Sequence, residues 1–235
     1  MATPAPRGWS MCRSRCWLRD RMKSMKRATL WLWFLVLVPS SWGLTIWGVD
    51  VSGLEVETSY FSILNAVGDS APDPFVNTLG VSVPFRFLGR FLFRPEVQAF
   101  FLGYSFQNGR AVPEDSMWDN VTVMSLLLNP TAGYEIPLSP TRAWSVEGGL
   151  GFVLRFPVFL AGKTAGDMAL PVTGWLLAGR FLYPNVGSGV TWQFSPLFAA
   201  TIRAQLFYPV FNLWNQVPWY DELTYGLGFG IRFTF

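Results

Sequence analysis

From Leu223 to the last residue, every second position is apolar: Leu223, Tyr225, Leu227, Phe229, Ile231, Phe233 and Phe235. Between them stand Thr224, Gly226, Gly228, Gly230, Arg232 and Thr234. A period of two places the two sets on opposite faces of a β-strand. One face here wants an apolar environment, and the other is small or polar. The same pattern runs through Leu79–Phe87, through Trp144–Phe156 with Ser145, Glu147 and Arg155 on the alternate face, and through Phe198–Tyr208 with Thr201, Arg203 and Gln205. Globular strands average about 5–6 residues, and these are longer. Their length suits the tilted strands that cross a bilayer in about 9–11 residues.

Weaker segments complete the set, giving eight expected strands at about 49–62, 76–87, 91–105, 119–136, 142–158, 185–195, 197–211 and 223–235. Residues 49–62 change register near Gly53, which suggests a bulge, and in residues 91–105 the alternation shifts register near Phe100. The spacers alternate in length. Residues 63–75, 106–118, 159–184 and 212–222 are long, whereas 88–90, 137–141 and Ser195–Pro196 are tight. Residues 172–183 read either as a ninth strand or as a short helix inside the longest loop, and the even strand count favours the helix. After Gly43 no run of 18 apolar residues suggests a transmembrane helix. The expected fold is all-β: an up-and-down antiparallel transmembrane β-barrel of eight strands, with short turns at one end and long loops at the other.

The first 43 residues differ from the rest. They hold eight of the 18 Lys and Arg, one acid (Asp20), and both cysteines, Cys12 and Cys16. Arg21–Arg27 is basic, Ala28–Val38 is uncharged and apolar, and Ser41 and Gly43 are small. That is the layout of a signal peptide cut after Gly43, with an apolar stretch too short for a comfortable span. Residues 1–21 fit neither a signal nor a folded element and read as an over-extended start. The expected organisation is therefore 1–43 signal peptide and 44–235 barrel domain. Ten basic and fourteen acidic residues follow Gly43, so the basic balance of the whole chain gives no reason to expect a nucleic-acid partner.

The final F-G-I-R-F-T-F resembles the C-terminal assembly signal of outer-membrane barrels, with Gly230, Ile231, Phe233 and Phe235 at the matching positions. Phe229 departs from the pattern, which prefers a polar residue there. The resemblance implies the barrel-assembly machinery as a transient partner and an outer-membrane location among its lipids, both termini periplasmic. Size and long outer loops resemble the small OmpW/OmpX-type barrels. Phe181-Leu182-Tyr183-Pro184 and Phe207-Tyr208-Pro209-Val210-Phe211 are similar to segments of spirochaete (treponemal) OmpW-like proteins.

Eight strands enclose a narrow interior. The inward set holds Glu55, Glu57, Glu96, Glu135 and Glu147 against Arg86, Arg94, Arg155, Arg203 and Arg232. Buried charges pair, so these residues are expected to form an ion-pair network that plugs the barrel. The alternative is a polar floor beneath a ligand pocket. Trp144, Tyr208, Tyr225, Phe233 and Phe235 lie near strand ends, as interfacial girdles do. The loops carry Phe75, Trp118, Phe159, Leu160, Trp214, Trp219 and Tyr220, which suits either self-packing or a hydrophobic vestibule. Asp115, Asp119, Asp221 and Glu222 read first as solvated loop charge and second as oxygen ligands for a divalent cation.

No histidine is present, so Ser-His and Asp-His catalysis is excluded. Neither an enzyme, nor a cofactor, nor a metal site is expected. The OmpW resemblance implies passive uptake of small hydrophobic molecules. The alternative is a structural or host-interaction (adhesin-like) surface protein with a plugged lumen.

Overall fold

The computed structural model describes residues 45–46, 49–66, 73–115, 120–158 and 163–234. Residues 1–43, Trp118, Asp119, Phe159, Leu160 and Phe235 lie outside them, and with them the expected signal peptide and the last residue of the assembly signal.

Eight antiparallel strands form a closed ring. They are β1 (Leu54–Ile63), β2 (Phe75–Ser82, resuming at Phe85–Phe87), β3 (Phe91–Arg94, resuming at Glu96–Gln107), β4 (Val121–Leu128, resuming at Thr131–Ser139), β5 (Arg142–Pro157), β6 (Leu182–Gln193), β7 (Phe198–Phe207) and β8 (Thr224–Phe233). β8 closes the ring on β1 in unbroken register, from Thr224 opposite Ile63 to Phe233 opposite Leu54. Closure pairs β8 with β1 along its whole length, the kind of internal pairing that a wall facing hydrocarbon requires.

The expected alternation is the wall itself. On β8, Gly228, Gly230 and Arg232 are buried while Leu227, Phe229, Ile231 and Phe233 are exposed. The outward face around the ring is apolar, including Val56, Leu79, Val97, Val146, Leu150, Val190, Ile202 and Leu206, each at least 40% exposed. A continuous apolar exterior of this kind is foreign to soluble monomers and matches the outer band of transmembrane barrels.

The strands break where backbone donors are missing. Val83-Pro84, Pro95, Asn129-Pro130 and Ser52-Gly53 fall on neighbouring strands near one another, bridged by Ser52 N to Pro84 O, Val83 N to Pro95 O and Leu150 N to Pro130 O. Proline cannot donate to the ladder, so three adjacent strands interrupt their pairing at Pro84, Pro95 and Pro130, and the chain before β1 turns beside them at Ser52-Gly53. The bulge expected at Gly53 is one of these sites, with φ at 139°. Below the break, Val49–Val51 pairs with Phe85–Phe87, extending the wall before β1.

The register shift expected near Phe100 does not occur. β3 pairs continuously with β4 from Val97 to Tyr104. Glu96, Gln98, Phe100, Leu102 and Tyr104 all face the lumen, and only their chemistry changes, from polar to apolar.

The long connections carry structure. Residues 106–118 were expected as a long polar connection between strands. Instead β3 turns at Asn108-Gly109, both at positive φ, and Arg110–Glu114 runs back along it from Gln107 to Gly103. Asn-Gly is the residue pair a type I′ hairpin turn demands. The segment read as 172–183 resolves into a helix, α1 (Lys163–Leu177), and the start of β6 at Leu182. Met168, Val172, Trp175 and Leu176 fall on one face of α1 and pack against Leu102, Tyr104, Ala111, Val121 and Val123. The helix therefore caps the long-loop end of the barrel. A 3-10 turn, Val210–Leu213, seals beside it with Phe211 buried. α1 has 15 residues, and no described helix is long and apolar enough to cross a membrane.

Candidate functional site

The lumen has two tiers. Toward the short-turn end it is ionic. Arg232 Nε donates to Glu55 Oε2 at 2.9 Å, and Thr201 Oγ1 adds a bond to the same oxygen at 3.3 Å. Arg203 bridges two carboxylates through Nη2, meeting Glu96 Oε1 at 2.8 Å and also Glu57. Arg94 lies 3.3 Å from Glu147, which accepts from Thr131 and Ser145 at 2.9 Å each. Gln98 donates to Glu96 and accepts from Thr78, while Asn129 donates to Glu96 Oε2 at 3.2 Å and accepts from Asn185 at 2.8 Å. Arg86 and Glu135 pair at 2.8 Å at the partly exposed rim.

Of the ten charged residues expected in the lumen network, nine sit in this tier. The pairs bring together residues far apart in sequence because each strand contributes its inward positions at the same depth. Glu55, Arg94, Gln98 and Asn129 have no solvent exposure at all, and Arg232 has 1%. The interior is crossed side to side. Glycine makes the room: a β-carbon at Gly228 would collide with the Glu57 carboxylate, and one at Gly230 with that of Glu55.

Arg155 stands apart, in the second tier. Above the ionic floor the inward residues become Phe61, Phe100, Leu127, Val153, Tyr183 and Phe207, which pack with Phe211. They surround a cavity of about 60 Å³ whose polar lining includes Arg155, Tyr183 and Glu222. Arg155 Nη2 donates to Tyr183 Oη at 2.6 Å and Nη1 to the Arg180 carbonyl; Tyr183 Oη in turn donates to Glu222 Oε2 at 3.1 Å. Arg180 stacks 3.5 Å over the Trp175 ring, tying α1 to the barrel mouth.

Asp221 and Glu222 depart from the solvated loop charge expected of them. They are 1% and 7% exposed. The loop after the 3-10 turn folds inward, and Arg110 grips Asp221 with a hydrogen bond of 2.9 Å from Nη2 and an ion-pair contact of 2.8 Å from Nη1. Asp221 also accepts from the Ala66 backbone at 2.9 Å. Burial pushes the Glu222 carboxyl above its ordinary range, against the opposing pull of Arg155. Asp115 instead caps the Phe75 backbone at 2.8 Å. Among the described residues, no group of three or more His, Cys, Asp or Glu is arranged to hold a metal ion.

Sequence reasoning missed the cluster of Arg110, Arg180 and Trp175. Asn108-Gly109 was the available signal, since a hairpin there returns Arg110 to the mouth. Of the aromatics expected in loops, Trp214 and Trp219 are exposed, at 66% and 61%, whereas Phe75 is the first residue of β2 and faces outward, 77% exposed.

Neither a protein-family model nor a curated protein sequence matches the chain. Among solved structures, Neisserial surface protein A (NspA) aligns with a TM-score of 0.51 at 11% identity, covering 80% of this chain and 99% of that one. Ail of Yersinia pestis in complex with the heparin analogue sucrose octasulfate aligns at 0.44 and 10% identity, covering 78% and 97%. The N-terminal β-barrel domain of Pseudomonas aeruginosa OprF aligns at 0.39 and 12% identity, covering 77% and 97%. The likeness to NspA is one of fold. The chain has the fold of the small eight-stranded transmembrane β-barrels of outer membranes.

Proposed function

We propose that this chain is an integral outer-membrane protein whose lumen is closed, so that it works through its surface-facing loops and not as an aqueous pore. Residues 1–43 serve as the export signal, 44–235 form the barrel, and both termini face the periplasm. The observation that carries the reading is the ionic floor, with Arg94, Arg232, Glu55 and Gln98 fully buried across the bore. The loops opposite present Leu213, Trp214, Trp219 and Tyr220, an apolar rim suited to contact with a host molecule or lipid surface, as in an adhesin-like protein. A second reading, binding of small hydrophobic molecules on a path of passive uptake as in OmpW-like barrels, is favoured by the apolar cavity above the floor.

Orientation and location are tested together by cysteine labelling, because no cysteine follows Cys16. Leu213→Cys in a long loop should react with a membrane-impermeant maleimide in intact cells. Gly89→Cys in a short turn should react only after the outer membrane is permeabilised. Labelling of the turn alone, or of both sites in intact cells, contradicts the proposal.

A further inference from the structure

The cavity holds a cation, Arg155, that no carboxylate contacts directly; Glu222 reaches it only through the Tyr183 hydroxyl. Arg155 spends its two terminal nitrogens on neutral oxygens, the Tyr183 hydroxyl and the Arg180 carbonyl, and its Nε is buried with no hydrogen-bond partner. Among the described residues, no carboxylate lies within 4.0 Å of it. Every other guanidinium expected in the lumen has one: Arg86, Arg94, Arg203 and Arg232 are each ion-paired. The buried charged side chains around Arg155 do not balance it. Arg110 is matched by Asp221, which leaves Arg155 and Arg180 to share Glu222. Arg180 has the Trp175 and Phe211 rings at 3.5 and 5.2 Å as further support, whereas Arg155 has the Tyr183 ring at 5.7 Å. A buried charge without a direct ion pair is costly, and this one lines a mostly apolar cavity.

We infer that the cavity takes a small carboxylate-bearing amphiphile, with its carboxylate on Arg155 and its tail among Phe61, Phe100, Leu127, Val153 and Phe207. The inference rests on the second reading above, that the cavity holds a ligand, and adds its chemical class. A charge-assisted hydrogen bond from a guanidinium to a carboxylate is the strong kind, and the ligand's negative charge would balance the excess positive one. Size sets the limit. At roughly 10–15 Å³ per water-sized group, a cavity of about 60 Å³ admits a short-chain acid and not a full-length fatty acid.

The test titrates butyrate and its neutral isostere butyramide into the full barrel in lipid nanodiscs at pH 7, with empty discs as blank. Calorimetry and saturation-transfer NMR read the binding. Butyrate should bind at least tenfold more tightly than butyramide. Arg155→Gln should abolish that preference while leaving heat-modifiable gel mobility unchanged, and Arg155→Lys should restore part of it. Equal binding of acid and amide to the native barrel, or an acid preference that survives Arg155→Gln, overturns the carboxylate assignment and leaves the hydrophobic-ligand reading standing. Binding of neither overturns both.

Discussion

Gly228 and Gly230 lack side chains because the strand opposite needs the space. Glu57 and Glu55 swing across β8 at these positions, and a β-carbon would meet their carboxylates. Gly228→Ala is expected to cost about 1–3 kcal/mol as overpacking, read by urea titration of the barrel in lipid vesicles. Gly230 carries a second meaning, since the assembly-signal resemblance also places a glycine there. Arg203 is the most heavily committed cation, bridging Glu57 and Glu96. Removing one partner of a buried ionic cluster leaves the others uncompensated, so Arg203→Met should destabilise by about 3–5 kcal/mol in the same titration. Glu222 sets a pH dependence. Its folded carboxyl holds its proton more tightly than the ordinary value of 4.5, so the folded state binds more protons than the unfolded one across that window. Its contribution to stability therefore falls as pH rises through the window and is recovered on acidification. Glu222→Gln should flatten this part of the profile of stability against pH. A native profile that Glu222→Gln leaves unchanged would contradict the assignment.

Among the elements, α1 shows best what sequence pattern can and cannot deliver. The choice of helix over ninth strand in the longest loop rested on strand parity, and the structure has a helix there. Its placement at 163–177 instead of 172–183 was readable in principle: Met168, Val172, Trp175 and Leu176 have helical spacing, but Pro171 and the strand-like start of β6 obscured it. Docking against Val121, Val123 and Leu102 holds the helix, and no local pattern encodes that surface. Val172→Asp with Leu176→Asp should undock it, seen as faster proteolysis within residues 163–181 while the barrel core stays resistant. The strands themselves were legible because each inward and outward position obeys the period of two. The apparent slip at Phe100 shows the limit of the method. Polarity stood in for direction, and on β3 the lumen changes chemistry halfway up while the backbone keeps its register. The tight turn at Leu88-Gly89 was legible too, although its strain was not. Leu88 sits at φ 49°, where a non-glycine residue costs about 1–3 kcal/mol; asparagine tolerates that region better, so Leu88→Asn should raise stability by about 1 kcal/mol.

At the scale of the whole molecule, the strands with their inward-facing acids and arginines followed from alternation, whereas the two-tier division of the lumen did not. It depends on which residues share a depth, and depth follows from closure of the ring and from stagger between strands, which the sequence of any one strand does not carry. Arg155 illustrates the consequence. It looked like one more member of the charge network, yet its depth sets it above the floor, beside Tyr183 and Glu222. The ionic floor and the α1 cap are the two barriers on which the proposed closed lumen rests. Planar-bilayer recording of the folded protein, its folding verified by heat-modifiable gel mobility, tests this most directly. A membrane holding the inserted barrel should pass no current above the bare-bilayer leak across the full voltage range, whereas stable, ohmic single-channel steps would contradict a closed lumen.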